Sequence, residues 1–488
     1  MGDTGVQFPR APDGARPSLR VNQEIWADAA AAVDPALATR IRESPSWRSD
    51  YVGPVRELTE LGGRSADTAH RIAGAGLAAA RSRLALAVDG DDRALDMALD
   101  ADPGELGTRT IVGEVERVAR LEVPYLGDRL QGDALRRRLA IWVAHGVIEP
   151  SAAAALGRVI DHPEWLRLEG RRLVVLGAGA QTSPLEVLAS WGAEVVAVDL
   201  PLAEVQERIV RTATAGAGTV HLPAVGNTTG ADLIEDVPTL GGWLSGFADL
   251  PLVLGFYIYA DGPLHVQATV AADLLAARLT LAGAQVTTAF AGTPSDCYLV
   301  PIDVVEDSNA RRRLRPRRAF ELAVRGASAG RLYRPAYRDR LVESDDGVTM
   351  GVADALVGQQ GPNYALAKRL QRWSTIDRWA TGHSGSFNVA PPTWTTSVTK
   401  NRLLAAGYHG AHFAGLEVFP PDTMQAVMSA LLVHDLHREP DVTHPELAIS
   451  ANGVHGGYWR VPHDIKSTLV YTAALGLPRS VTTSLRAR

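Results

Sequence analysis

Residues 173–199 read LVVLGAGAQTSPLEVLASWGAEVVAVD, and this stretch decides how the chain folds. Leu173 to Leu176 is a short apolar run of the kind a parallel sheet buries on both faces. Gly177 and Gly179 follow at once, where the backbone must turn sharply and come close to a ligand. Ser183-Pro184-Leu185-Glu186 predicts a helix start, with Ser183 as N-cap, Pro184 at the first position and Glu186 completing a capping box. The free amides of that helix end would face a pyrophosphate. Val195 to Val198 is the next strand, and Asp199 at its tip stands where a carboxylate takes a ribose 2′-hydroxyl. Gly177 and Asp199 are separated by about the 20 residues expected of a dinucleotide-binding unit. Two other readings share the pattern. One is an ordinary βαβ unit with a tight turn. The other is a nucleoside-binding methyltransferase, although such enzymes usually carry an acid where this first strand has Val174, Val175 and Leu176.

Outward from this unit, the 488 residues suffice for two or three domains. With 46% apolar residues, 21% charged residues and a net charge of −6, the composition is that of a soluble globular protein. No apolar run approaches the length of a membrane span and no export signal opens the chain, so neither a membrane partner nor secretion is expected. The one cysteine, Cys297, excludes an intramolecular disulfide and suits a reducing, cytoplasmic location. The acidic balance gives no general reason to bind nucleic acid. Only three of the 49 basic residues are lysines, Lys368, Lys400 and Lys466. In such an arginine-rich chain, a lysine points to a place that needs a compact ammonium with a movable pKa.

Residues 1–21 read as a disordered start, rich in Pro, Gly and Arg. Residues 22–168 show apolar positions at three- and four-residue steps and predict an all-helical N-terminal domain, with Asn22, Ser65 and Ser151 as caps. From residue 169 to 432, strands near Leu173, Val195, Thr219, Val253, Val286 and Ser386 alternate with helices. The fold class expected is therefore α/β, a doubly wound, Rossmann-like parallel sheet. An insertion at about 303–345 interrupts it, and 433–488 forms a C-terminal segment. The insertion carries Arg311-Arg312-Arg313-Leu314-Arg315-Pro316-Arg317-Arg318, which suits phosphates or an acidic partner, or is a solvated face.

A second constellation opens at Gly361-Pro362-Asn363-Tyr364. Tyr364 and Lys368 are four residues apart on one helix, hence on one face. An ammonium near a phenol favours the phenolate and brings its pKa toward a value useful for proton transfer. About 20 residues on, Ser386 to Val389 reads as a strand that ends at Ala390-Pro391-Pro392.

Taken with the glycine turn, these residues resemble the short-chain dehydrogenase/reductase superfamily over about residues 172–430. Tyr364 and Lys368 match its Tyr-x-x-x-Lys pair, and Val389-Ala390-Pro391 is similar to its nicotinamide-side loop. Tyr259-Ala260-Asp261-Gly262 stands where the family has Asn-Asn-Ala-Gly. The resemblance implies an NAD cofactor and an alcohol/carbonyl substrate, with Tyr364 moving the oxygen-bound proton and Lys368 holding the ribose. Gly177, Gly179, Ser183, Asp199, Asp232, Ala260, Gly262 and Pro391 would line the cofactor, and Asp199 would favour NAD over NADP. The chain departs from the family at Gln181 and Ser183, where glycines are expected, and at Gly351, where the family's serine would fall. Ser295, at the end of the fifth strand, is the replacement serine. A small-molecule substrate is expected, an oligomer is compatible, and no metal is called for. The alternatives are a methyltransferase using S-adenosylmethionine and a non-catalytic protein that senses a nucleotide or holds a partner. The His409/His412 and His434/His437 pairs are spaced to share a metal on a helix, but no third ligand has a recognised spacing. Ala451 to Arg460 suits a substrate-side loop or a structural turn.

Overall fold

A strand that is apolar at every position can turn neither face to water, and the segment after Arg172 is such a strand. The computed structural model describes residues 4–337, 340–400, 402–438, 440–468 and 472–477. Its strands, in chain order, are β1 (Gly5–Gln7), β2 (Ala85–Val88), β3 (Asp91–Ala94), β4 (Gly107–Val112), β5 (Val123–Tyr125), β6 (Asp128–Leu130), β7 (Arg172–Leu176), β8 (Glu194–Val198), β9 (Thr219–Val225), β10 (Thr228–Thr229), β11 (Leu252–Phe256), β12 (Val286–Gly292), β13 (Cys297–Pro301), β14 (Leu341–Glu343), β15 (Thr349–Asp354) and β16 (Gly385–Val389). Eight of them form one large, mainly parallel sheet. Across it β9, β8, β7, β11, β12 and β16 run parallel in that order, while β10 and β4 pair antiparallel with β9. The strand order reverses between β7 and β11, where doubly wound sheets open their ligand crevice beyond the carboxyl ends of the strands.

Register fixes which side chain faces which layer. Val174 lies opposite Val196 and Leu254, and Val175 opposite Ala197 and Gly255. Val174, Leu176, Val196, Val198, Leu254 and Phe256 enter one core, and Leu173, Val175, Val195, Ala197 and Val253 enter the other. The first face is covered by the helices Ser18–Ala31, Ala66–Arg83, Pro263–Leu281 and Pro362–Ala380, through Trp26, Leu77, Leu274 and Trp373. The second is covered by Gly132–Ala144, Pro150–Asp161, Ala203–Thr214 and Pro421–His437, through Leu139, Leu156, Ile209 and Leu431.

This layering corrects the expected domain plan. Residues 22–168 are not an all-helical domain set apart from the sheet: they hold β2 to β6, lend β4 to the large sheet, and send helices to both of its faces. Of the stretch predicted to be a disordered start, residues 4–21 are also built in, and 1–3 lie outside the described residues. β1 pairs with β2, Val6 and Phe8 are buried, and Gln267 Nε2 donates to the Val6 carbonyl at 3.0 Å. Asn22 is no cap but a buried residue of the first helix, donating to the Pro362 carbonyl at 2.9 Å and to Asn363 Oδ1 at 3.1 Å. Ser65 does cap its helix, accepting from Thr68 N at 3.2 Å, while Ser151 lies inside a helix whose N-cap is Glu149. The predicted capping box after the glycine turn does not form. The helix there is Leu185–Ser190 with Pro184 as N-cap, and Ser183 Oγ accepts from Leu185 N at 3.2 Å. The insertion is wider than expected, since β13, β15 and β14 form a separate antiparallel sheet around the helices Ile302–Leu314 and Arg318–Ala327.

Trp373 ties the N-terminal layer to the sheet's own helix. Its ring meets Trp26 edge-on with centroids 5.3 Å apart, and Gly76 passes so close that a Cβ there would come within 2.3 Å of it. Trp373→Ala is expected to cost about 3–5 kcal/mol. It should leave one unfolding transition, because the N-terminal helices and the sheet share one core. Denaturant unfolding followed by tryptophan fluorescence and far-UV circular dichroism checks this; separate transitions in the parent protein would contradict it.

Candidate functional site

The loops at the carboxyl ends of β7, β8, β11, β12 and β16 carry most of the candidate cofactor residues, and the helix Pro362–Ala380 carries Tyr364 and Lys368. Gly177 has φ of +85°, and a Cβ on it would meet Ile258 N at 2.8 Å, so glycine is needed for the close pass of β7's end by β11's. At Gly179 a Cβ would meet Val205, Arg208 and Asp199. Asp199 stands at the tip of β8 as expected. Its Oδ2 accepts from Gly179 N at 2.7 Å and its Oδ1 from Leu200 N at 2.8 Å. Burial raises its pKa, while the two amides and Arg208 oppose the rise. Arg208 Nη2 donates to the Gly179 carbonyl at 2.6 Å. Beyond the turn, the amides of Gln181 and Thr182 have no acceptor among the described residues. Asp232 folds back onto Ile234 N at 2.8 Å, and its carboxyl is raised by burial, with the charge of Asp199 adding to the rise.

After β11, Tyr259 is 56% exposed, Ala260 follows, and Gly262, with φ of +59°, caps the helix Pro263–Leu281. Pro391 is buried beyond β16, and Ala390 N donates to the Gly292 carbonyl at the end of β12 at 2.9 Å.

The catalytic pair inferred from the sequence sits beside that end of β12, but its internal wiring differs from expectation. Lys368 does not face Tyr364. Its Nζ donates to the Ala291 carbonyl at 3.1 Å and to Gln371 Oε1 at 3.2 Å, leaving one N–H of the ammonium spare. Burial pushes its pKa down to about 8, with Asp296 opposing. The Tyr364 phenol is therefore not lowered by an adjacent ammonium. Burial holds it above its ordinary value, and the Thr293 hydroxyl against its oxygen pulls it back down. Thr293 Oγ1 in turn lies 2.9 Å from Ser295 Oγ, which accepts from Gln360 Nε2 at 2.6 Å. Ser295 thus reaches Tyr364 through Thr293, and Thr293 takes the place at the phenol that was expected of serine. Its signal was its place at the end of the fifth parallel strand, two residues before the serine chosen.

His265 is the residue that sequence reasoning missed. It is 1% exposed, its ring lies 5.5 Å from that of Tyr364 in edge-to-face contact, and neither ring nitrogen has a hydrogen-bond partner. Burial, helped by the charge of Lys368, pushes its pKa down to about 3, so it is neutral at physiological pH. Its sequence context, an Ala/Leu-rich helix, gave no sign of this.

Other candidates resolve as structure. Within the Ala451–Arg460 loop a buried clamp forms: His455 Nε2 lies 2.9 Å from Glu149 Oε1, and Arg460 donates to both Glu149 oxygens at 2.8 and 2.6 Å. Asp435 accepts from Ser386 Oγ and Asn388 Nδ2, each at 2.7 Å, and His437 stacks on Trp165. Among the described residues no group of three or more His, Cys, Asp or Glu side chains is placed to hold a metal ion.

Fold and site together define an α/β protein with a large, mainly parallel sheet and a tyrosine–threonine–lysine cluster at the carboxyl ends of its strands. Compared with models of known protein families and with curated proteins, the chain matches none.

The lysine provides a pH test. A lysine with a folded pKa of about 8 against an ordinary value of 10.5 binds its proton less well folded than unfolded. Between those values the unfolded chain carries more protons, so stability from this group rises with pH. The parent protein should therefore gain on Lys368→Met as pH is raised from about 8 to 10.5. Urea unfolding of both across that range checks it; a stability difference independent of pH would refute the buried ammonium.

Proposed function

We propose that the chain is a Rossmann-like oxidoreductase that uses NAD on an alcohol/carbonyl pair. The observation that carries this reading is that Tyr364 and Lys368 lie one helical turn apart on the helix packed beside the end of β12, with Lys368 Nζ donating to the Ala291 carbonyl at 3.1 Å. The residues fit the cofactor. The amides of Gln181 and Thr182 are available for a pyrophosphate. Asp199 keeps lone pairs beyond the two it gives to backbone amides, enough to accept from a ribose hydroxyl. The spare N–H of Lys368 suits a second hydroxyl. Asp199 presents its carboxylate at the tip of β8, where a 2′-phosphate would come, which supports NAD over NADP.

Bound NAD would supply the hydride acceptor, and NADH the donor. The chain's own part is proton handling and placement. Tyr364 gives its proton to a carbonyl oxygen, or takes one from an alcohol. Thr293 donates toward the phenol oxygen and so favours the ionised form that Tyr364 must pass through. Ser295 and Gln360 fix the rotamer of Thr293. His265, neutral and buried behind the phenol, keeps one flank of the ring free of competing charge.

A second reading, a non-catalytic protein on the same sheet, draws support from one observation. The space beside Gly177 and Gly179 is filled by Ile258, Val205 and Arg208, so glycine there answers the protein's own packing.

Thermal unfolding with NAD, NADH, NADPH and S-adenosylmethionine separates the readings. Saturation at about a hundredfold over Kd adds about 2.7 kcal/mol to the native state. NAD or NADH is expected to stabilise and S-adenosylmethionine not to; the reverse would overturn the proposal. Tyr364→Phe should keep the NAD shift and lose turnover of a responsive alcohol by roughly 10²–10⁴-fold. Thr293→Val should lose turnover less and move the pH profile upward. Cofactor binding with output unaffected by Tyr364→Phe would favour the non-catalytic reading.

A further inference from the structure

The arginine block lies on the insertion, at the end of helix Ile302–Leu314 and the start of helix Arg318–Ala327. Six arginines in residues 311–318, with no acid among them, stand in a chain of net charge −6. Part of that charge is neutralised. Arg311 pairs with Asp307 at 2.8 Å and Arg315 with Glu321 at 2.9 Å. These two guanidiniums, with Arg460 and His145, line a cavity of about 340 Å³, but Arg460 too is held by acids. The unneutralised charge is on the outer side. Arg313, Arg317 and Arg318 are exposed and have no carboxylate within ion-pair reach among the described residues. Arg312 has its pKa lowered by burial and by the charges of Arg325, Arg313 and Arg318.

The helix Arg318–Ala327 is amphipathic with its faces reversed. Its inward side carries Glu321, which is buried between Arg315 and His463, together with the partly buried Val324 and Arg325. Its outward side carries Ala319, Phe320, Leu322, Ala323 and Ala327, all exposed. Phe320 is 59% exposed, Leu322 52%, and Leu314 just before it 82%. An ordinary surface helix points such residues at the core. Apolar side chains turned outward and ringed by unpaired arginines form a surface that anionic lipid headgroups and the acyl boundary beneath them would cover.

We propose that this arm docks the protein on the surface of an anionic lipid bilayer, with Leu314, Phe320 and Leu322 entering the headgroup layer and Arg313, Arg317 and Arg318 meeting lipid phosphates. Charge complementarity selects this occupant. A second copy meeting the same patch about a two-fold axis would bring two arginine blocks together. The contact is peripheral, since among the described residues no helix is long and apolar enough to cross a membrane. The expectation of no membrane partner rested on that missing span alone.

Co-sedimentation of the full chain with vesicles tests the proposal. Binding is expected to vesicles of phosphatidylcholine containing roughly one-third phosphatidylglycerol, and not to phosphatidylcholine alone. Arg313→Ser/Arg317→Ser/Arg318→Ser should weaken it roughly a hundredfold. Phe320→Glu/Leu322→Glu should weaken it at least roughly tenfold. Both sets change solvent-facing residues, so the unfolding midpoint should match the parent, confirming that the fold survives. No binding to anionic vesicles overturns the proposal, as does equal binding to both compositions. Sensitivity to the arginine changes alone would reassign the patch to simple polyanions. Self-association or polyglutamate binding that is lost in the Phe320/Leu322 variant, without vesicle binding, would reassign it to a protein partner.

Discussion

A parallel sheet with no face for water must be covered twice, and this requirement organises the molecule. The strands β7, β8 and β11 are apolar on both sides, so each needs a helical layer above and below. The helices that follow these strands cover only part of that area. The chain before the sheet supplies the rest, placing Trp26 and Leu77 on one face and Leu139 and Leu156 on the other. The N-terminal third is therefore part of the sheet's enclosure, and even Val6 and Phe8 are drawn in.

Enclosure sets the electrostatics at the carboxyl end of the sheet. A buried ammonium is disfavoured unless opposite charge or hydrogen bonds compensate it. Lys368 has the Ala291 carbonyl and Gln371, with Asp296 near enough to oppose the shift, and still its pKa falls to about 8. Asp296 is mainly committed to Arg369, 3.0 Å away. The same burial raises the Tyr364 phenol and keeps His265 neutral. The Thr293 hydroxyl, and not the lysine, pulls the Tyr364 phenol back toward its ordinary value. Elsewhere burial serves assembly: Glu149, held by Arg460 and His455 and lowered to about 2, locks the C-terminal loop against the second layer.

The insertion between β12 and the Tyr364 helix does two jobs. Its small sheet, β13, β15 and β14, packs Cys297, Leu299, Met350 and Val352 into a minor core. Its helices carry charge and apolar surface outward.

The sequence by itself determined the sheet. Unbroken apolar strands, a glycine turn and an acid about 20 residues on are local patterns, and β7, β8, β9, β11, β12 and β16 follow them closely. It also placed Asp199 at a strand tip and set Tyr364 and Lys368 on one helix, because each depends only on local periodicity. What surrounds those residues was decided by tertiary structure. Whether Lys368 faces Tyr364 or a carbonyl depends on how the Pro362–Ala380 helix is rotated against β12, and Thr293 or Ser295 at the phenol depends on the bend after that strand. The fate of residues 22–168 was decided the same way. Helical periodicity shows that a face is apolar, but not which partner buries it, and only the packed sheet shows that these helices divide between its two sides.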